Sequence, residues 1–360
     1  MAILIETLSA RDFRILESIE ISPSPGMNII EGANAQGKTS LLEAIHLVST
    51  GRLMRSGRDG SAIRRESEAF RVAAVVSPGG TEAAVELARG GRKKALLNGM
   101  GLPRASDLLG RLPSVSFSAQ DLCIVRGDPS DRRGFLDEEL AQLMPSYLRD
   151  LAAYKRSLDQ RNALLKSARE HWTGPEVFEA WEERLLTHGM ALRSARRTWL
   201  AELSPIASQA HGELAEGEIL GLSLQENDAA DTLDAYAQTR REDIARGSTS
   251  IGPHRDDLKI EIGGLDGRLH ASQGQQRTAV IALKLAVQES ARQRFGFPPV
   301  LLLDDVFSDL DESRRTRLVE RAIEHSGQVF ITCTESRQAG SALIQQSKIF
   351  QVRSGMVTAP

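Results

Sequence analysis

The chain has 360 residues, 41% of them apolar, enough for two or three domains of ordinary size with a normal buried core. A formal net charge of −3 excludes a bulk electrostatic pull toward nucleic acid, so any contact with DNA must come from local basic patches. Two distant cysteines, Cys123 and Cys333, do not make a disulfide scaffold, and no run reaches the roughly 18 apolar residues of a membrane span.

The N-terminus alternates apolar and polar residues from Ile3 onward and has no basic start followed by an apolar block. It does not read as a secretory signal, and a cytoplasmic location is expected. Residues 1–128 carry short alternating runs punctuated by Gly and Pro. Strands are expected at 17–22, 27–30, 70–77, 83–88 and 114–117.

Starting within the second of these is "NIIEGANAQGKTSLLEAIHLV" (28–48). Gly32, Gly37, Lys38 and Thr39 fit G-x-x-x-x-G-K-[ST], after a short apolar strand and before an amphipathic helix over 38–49. Gly32 permits a tight turn, and Gly37 permits close approach of the backbone to phosphate. The candidate nucleotide contacts are Gly32, Ala33, Asn34, Ala35, Gln36, Gly37, Lys38, Thr39 and Ser40. Loop N–H groups and the helix N-terminus favour an anion, Lys38 would reach the β- and γ-phosphates of ATP, and Thr39 would ligate Mg²⁺.

Residues 129–247 turn helical. Leu148, Leu151, Leu158 and Leu165 form one apolar stripe, and Phe178, Trp181, Leu185, Leu192 and Trp199 form another. "HWTGPE" (171–176) suits the turn of a helical hairpin with arms of about 25–30 residues, or roughly 40 Å. From 248 strands and helices alternate again: strands at 257–262, 299–305, 328–333 and 348–352, helices at 274–294 and 311–325. The fold class expected is therefore an α/β domain built from both chain ends, 1–128 and 248–360, with an inserted all-α domain at 129–247.

In "VLLLDDVFSDLDESRR" a buried strand ends on Asp304, at the edge where open α/β sheets bind ligands. Asp304 would hold Mg²⁺ opposite Thr39, and Asp305 would orient or deprotonate the attacking water. The plainer alternative is a strand running into a polar turn, with Asp309 or Asp311 capping the next helix. "GPHRDDL" (252–258) is read as a polar turn into a strand, with a metal site at His254, Asp256 and Asp257 as the alternative.

Together these motifs resemble an ABC-type ATPase head. In that class a Ser-x-Gly-Gln patch at a helix N-terminus touches the nucleotide of a second subunit. Ser272, Gly274 and Gln275 stand in that position here. "FSAQDLCIVRGDPSDRRGFLD" (117–137), "GPHRDDL", "SQGQQRT" (272–278) and "DDVFSDLDESRRTRL" (304–318) resemble blocks of the RecF family of recombinational-repair ATPases, and the likeness runs the length of the chain.

That resemblance implies an SMC-like head whose ATP-driven homodimer binds double-stranded and gapped DNA. It also implies action with RecR and RecO to load RecA, and slow hydrolysis that serves as a release switch. Gln120 falls in the region that contacts Mg²⁺ or water, although many relatives carry an acidic residue there. Asp305 stands where ABC ATPases typically have Glu, one methylene longer, so low turnover is implied. Thr332, Cys333 and Thr334 occupy the place of the usual switch histidine, and a Thr there could bond the γ-phosphate. Candidate DNA contacts are Arg11 and Arg14; Arg52, Arg55 and Arg58; Arg64 and Arg65; and Arg92, Lys93 and Lys94, with solvated charge as the default for each. A transporter nucleotide-binding subunit would lack the helical insertion and the 117–137 block. A P-loop kinase or GTPase would have no use for Ser272 to Gln275.

Overall fold

The computed structural model describes residues 2–54, 57–171, 174–215, 217–226, 231–307, 312–325 and 327–359. They form two compact units. The first comprises Met1–Leu122, Ala210–Gly217 and Gln273–Pro360, and the second Cys123–Gln209 and Glu218–Ser272. The sequence reading instead divides the chain at 128 and 247, so residues 248–272, read as head, fall in the second unit. Among the described residues no helix is long and apolar enough to cross a membrane.

The first unit holds two six-stranded sheets. One is antiparallel, in the order Leu16–Ile21, Leu4–Phe13, Ala69–Ser77, Thr81–Ala88, Lys94–Leu97 and Met100–Gly101. The other runs Met356–Thr358, Ser347–Arg353, Met27–Glu31, Val329–Cys333, Val300–Leu303 and Ser114–Phe117, and is parallel apart from its first pair. Its strands "VLLL" and "VFITC" are buried at every position, which is why they read as unbroken apolar runs rather than alternating ones. The helix Lys38–Thr50 is buried at every residue except Thr39. It is a core helix, not the amphipathic one expected, because Leu41, Leu42, Ile45 and Val48 pack into one cluster with residues of both sheets.

The second unit is not all-α. Leu220–Gln225 pairs antiparallel with Asp257–Ile262, which also pairs with Leu265–Asp266. "LGLSLQ" places Leu at 220, 222 and 224, a period of two that the helical patterns on either side obscure. The expected hairpin also differs. Its first arm breaks at Met144 into Pro129–Leu143 and Pro145–Ser167, because Pro145 cannot donate to a continuing helix. Its second arm, Pro175–Leu214, runs on through Pro205 for 40 residues, about 60 Å.

The second unit's interior is ionic as well as apolar. Arg161, fully buried, donates to Glu182 at 2.9 and 3.1 Å, to Asp243 at 2.7 Å and to Thr249 at 2.9 Å. Arg193 grips Asp256 through two bonds of 2.6 and 2.9 Å. Arg196 reaches Asp137, Tyr147 and the Pro253 carbonyl. The segment 252–258 is therefore a polar staple. Asp256 belongs to Arg193, Asp257 to Arg132 at 2.7 and 2.8 Å, and His254 accepts from Tyr154 at 2.7 Å. With these groups committed, the metal alternative falls, and no cluster of three or more His, Cys, Asp or Glu that could hold a metal occurs among the described residues.

Removing one partner of a buried ion pair leaves the other charged and desolvated, at a cost of about 3–5 kcal/mol. Asp256→Ala is expected to lower the stability of the second unit by about that amount in urea unfolding. A loss below about 1 kcal/mol, the range of an exposed pair, would show that Arg193 does not depend on it.

Candidate nucleotide-binding site

The phosphate loop leaves the C-terminal end of Met27–Glu31 and enters the buried helix at Lys38. The two glycines are required for different reasons. A Cβ on Gly32 would stand 2.4 Å from the Val352 carbonyl oxygen, so the neighbouring strand leaves no room for one. Gly37, the helix N-cap, has space but sits at φ 113°, a conformation open mainly to glycine. Residues 33–35 are exposed, and Ala35 is left-handed at φ 64°. No acidic residue occupies the first turn of the helix, so its positive end is not neutralised from within.

Lys38 arches back over the loop, its Nζ donating to the carbonyls of Gly32 at 2.6 Å and Ala33 at 2.9 Å. From the other side the turn at Ser354–Gly355 braces the loop. Ser354 N donates to Gln36 Oε1 at 2.7 Å, and Gly355 N to Gln36 O at 2.9 Å. This brace was not anticipated. Its signal was the turn dipeptide Ser-Gly between two short strands near the end of the chain.

Thr39 and Asp304 come together across 265 residues. The Thr39 hydroxyl lies 3.0 and 2.9 Å from the two carboxylate oxygens. Asp304 follows Val300–Leu303, and its N–H continues the parallel ladder by donating to Phe117 O at 2.9 Å. Asp305, exposed, takes the left-handed conformation at φ 52°, rare for a residue with a side chain. Both its backbone groups are tied: its N–H donates to Thr332 Oγ1 at 2.8 Å, and its carbonyl accepts from Arg277 at 2.9 Å.

The same Thr332 hydroxyl donates to Asp304 Oδ1 at 2.8 Å. A hydroxyl has one proton to give. Thr332 is fully buried with that proton on Asp304, so of the two threonines offered for a γ-phosphate contact only Thr334, half-buried just past the strand, is left for it. Cys333 is buried too, and burial, with the nearby Glu31 charge, pushes its thiol up to about 12, leaving it protonated near neutrality.

Gln120 lies exposed on the short turn Ala119–Leu122, and among the described residues no hydrogen bond joins its side chain to Thr39 or Asp304. Its neighbour Asp121 is the engaged residue, accepting from Ser118 and lying 3.2 Å from Lys284 of the helix Gln273–Phe295. At the start of that helix Ser272 and Gly274 are exposed and Gln275 is half-buried. One turn on, Arg277 makes the bond to Asp305.

The basic candidates divide. Arg14 is committed to the buried Glu43, with bonds of 2.7 and 2.9 Å, so it anchors the phosphate-loop helix. Arg64 pairs with Glu17, and Lys93 with Asp59. Arg11, Arg52, Arg58, Arg65, Arg92 and Lys94 are exposed. Arg55 lies outside the described residues, as do Asp309 and Asp311.

The residues present fit a magnesium–nucleotide pair. A glycine-shaped loop, an ammonium and an uncompensated helix N-terminus suit a polyphosphate. The Thr39 hydroxyl and Asp304 carboxylate are hard oxygen donors, and Mg²⁺ bound with phosphate needs only one or two such protein groups.

A family model described as the RecF/RecN/SMC N terminal domain matches residues 4–358. A Symbiobacterium thermophilum protein named DNA replication and repair protein RecF is 41% identical over 372 residues, which cover 98% of this chain and 97% of the relative. The protein of that name from Heliobacterium modesticaldum is 36% identical over 366 residues, 98% of each chain. A solved structure of the recombination mediator protein RecF with ATP in the RecFOR pathway is similar at a TM-score of 0.91 and 31% identity, covering 100% of this chain and 98% of that one. The chain belongs to the RecF family, SMC-like proteins with an ABC-type ATPase head.

Proposed function

We propose that this chain is an ATP-dependent DNA-binding protein of recombinational repair and replication restart, acting in the cytoplasm as an ATP-driven dimer. The observation that carries this reading is the contact between Thr39 and Asp304, made at the mouth of the phosphate loop with Asp305 alongside. Its relatives' names and the ATP-bound RecF structure support it.

In this reading Gly32 to Ser40 cradle the triphosphate of ATP, with Lys38 exchanging its loop carbonyls for the β- and γ-phosphates. Thr39 and Asp304 would hold Mg²⁺, which supplies charge neutralisation on the phosphates when bound. Gln120, exposed on its turn, would contact that ion or its water. Asp305 accepts the proton of the attacking water, and its fixed backbone sets where the short carboxylate points. Ser272, Gly274 and Gln275 present a hydroxyl, an unhindered backbone and a helix N-terminus outward, suited to the nucleotide of a second copy.

Hydrolysis is slow and releases the dimer. The dimer binds double-stranded and gapped DNA, and with RecR and RecO promotes RecA loading. The exposed Arg52, Arg58, Arg65, Arg92 and Lys94 are the phosphate contacts left once the paired residues are set aside, with the exposed Arg11 paired to its neighbour Asp12 at 4.0 Å.

Mass in solution, measured with and without ATP and with gapped DNA, tests the whole reading. ATP should double the mass and tighten DNA binding, and the affinity should fall steeply with salt as phosphate contacts require. A monomer indifferent to both ligands, or salt-insensitive binding, would overturn it. Asp305→Asn should slow hydrolysis by about 10²–10⁴-fold, the range of a general base, while ATP binding stays near parental. An unchanged rate would remove Asp305 from the chemistry. Ser272→Arg should leave ATP binding by the monomer nearly intact while abolishing ATP-driven dimerisation. Loss of monomer binding would instead place Ser272 in its own chain's site.

A further inference from the structure

Thr332 does more than fill a strand. We propose that it is a positioning residue for ATP hydrolysis, one hydroxyl that sets the Asp304 carboxylate and the Asp305 backbone relative to each other. The proposal rests on the ATPase reading above and concerns the same site.

The geometry begins with sheet register. Val329–Cys333 lies between the strand feeding the phosphate loop and the strand ending at Asp304. The parallel ladder pairs Leu303 with Ile331, so the next residue on the middle strand, Thr332, stands beside the point where the chain turns out of the sheet at Asp304. Thr332 is also paired with Ile30 on its other side, which fixes its backbone from both edges. A β-branched side chain on a fully buried strand has little rotamer freedom, so the hydroxyl is held in one place.

That hydroxyl uses both of its capacities. Its proton goes to Asp304 Oδ1 at 2.8 Å, and a lone pair accepts the Asp305 N–H at 2.8 Å. The Thr39 hydroxyl faces both Asp304 oxygens at 3.0 and 2.9 Å while Thr332 donates to Oδ1, which fixes the plane of the carboxylate. The left-handed backbone of Asp305 persists only where its surroundings over-determine it. Thr332 holds its N–H and Arg277 its carbonyl, and between them they fix the direction in which the Asp305 side chain leaves the turn.

Valine has the shape of threonine but no hydroxyl. Thr332→Val keeps the strand while releasing one carboxylate oxygen and one N–H. Outer-shell partners of this kind typically change metal affinity or activity by about 10–100-fold. A fluorescent ATP analogue measures nucleotide affinity without metal, then across a Mg²⁺ titration, and steady-state hydrolysis gives kcat and KM. Thr332→Val should bind the metal-free nucleotide as the parent does, need about tenfold more Mg²⁺ for its metal-dependent gain, and lose kcat by about 10–100-fold with KM little changed. Thr332→Ser, which retains the hydroxyl, should restore both.

A Thr332→Val protein with parental Mg²⁺ dependence and kcat would overturn the proposal. So would a folded Thr332→Ser protein as impaired as the valine variant, and this second comparison decides the matter if the valine variant does not fold. The unaltered chain is measured first. Failure to bind or hydrolyse ATP there overturns the ATPase reading itself, and the proposal with it. Intact parental activity with an indifferent valine variant overturns the proposal alone.

Discussion

The contact between Thr39 and Asp304 is the constraint on which the head depends. Two side chains 265 residues apart meet within 3.0 Å, one in the first turn of a helix and the other just past a strand that does not pair with the strand feeding the loop. The meeting requires the parallel order Met27–Glu31, Val329–Cys333, Val300–Leu303, with all three strands ending at one edge. A one-residue slip in either ladder would turn the facing side chains away. The apolar strands supply the energy that holds this order, since each is buried on both faces, and the polar residues at their ends are placed as a consequence. Thr332 gains its position from the same arrangement, on the strand between the two partners.

The second unit solves a different problem with charge. Its helices bury Arg161, Arg193 and Arg196 almost completely, each against one or more carboxylates. Such pairs need not add net stability, because removing two charges from water offsets most of their attraction. Their value lies in direction: a guanidinium fork bonded to Asp256 or Asp243 tolerates only a narrow range of helix positions. Asp137 illustrates the balance. Burial alone would raise its pKa, yet Arg196, Lys155 and the Tyr147 hydroxyl more than offset that and leave it lowered.

Much of this is legible in the sequence alone. The phosphate loop, the Asp304 strand and the Ser272 helix carry local signals that survive without tertiary information: a fixed glycine spacing, an unbroken apolar run, a periodic helix. What was not legible depended on partners distant in sequence. The Leu220–Gln225 strand needed Asp257–Ile262 to be recognised, and the all-α reading missed it. Arg14 looked like a surface cation until Glu43 was seen buried beneath it. Arg161 and Arg193 interrupt apolar stripes in the same way, because nothing in a linear pattern separates an arginine facing a carboxylate from one facing water. Thr332 was noticed for the residue it replaced, and only the sheet register showed that its hydroxyl was already occupied.

The strands of the chain's last residues give the loop its final restraint. Gly32 passes so close to Val352 that no side chain fits between them, and Gln36 is held by the turn at Ser354–Gly355. Gly355 is itself pressed against the Ile15 carbonyl, where a Cβ would stand 2.2 Å away. The loop is thus clasped by the first and last segments of the chain together, with the whole second unit connected between them in sequence. The Ser354–Gln36 bond joins residues 318 apart, and closing so long a loop costs entropy that the apolar packing of the strands must offset.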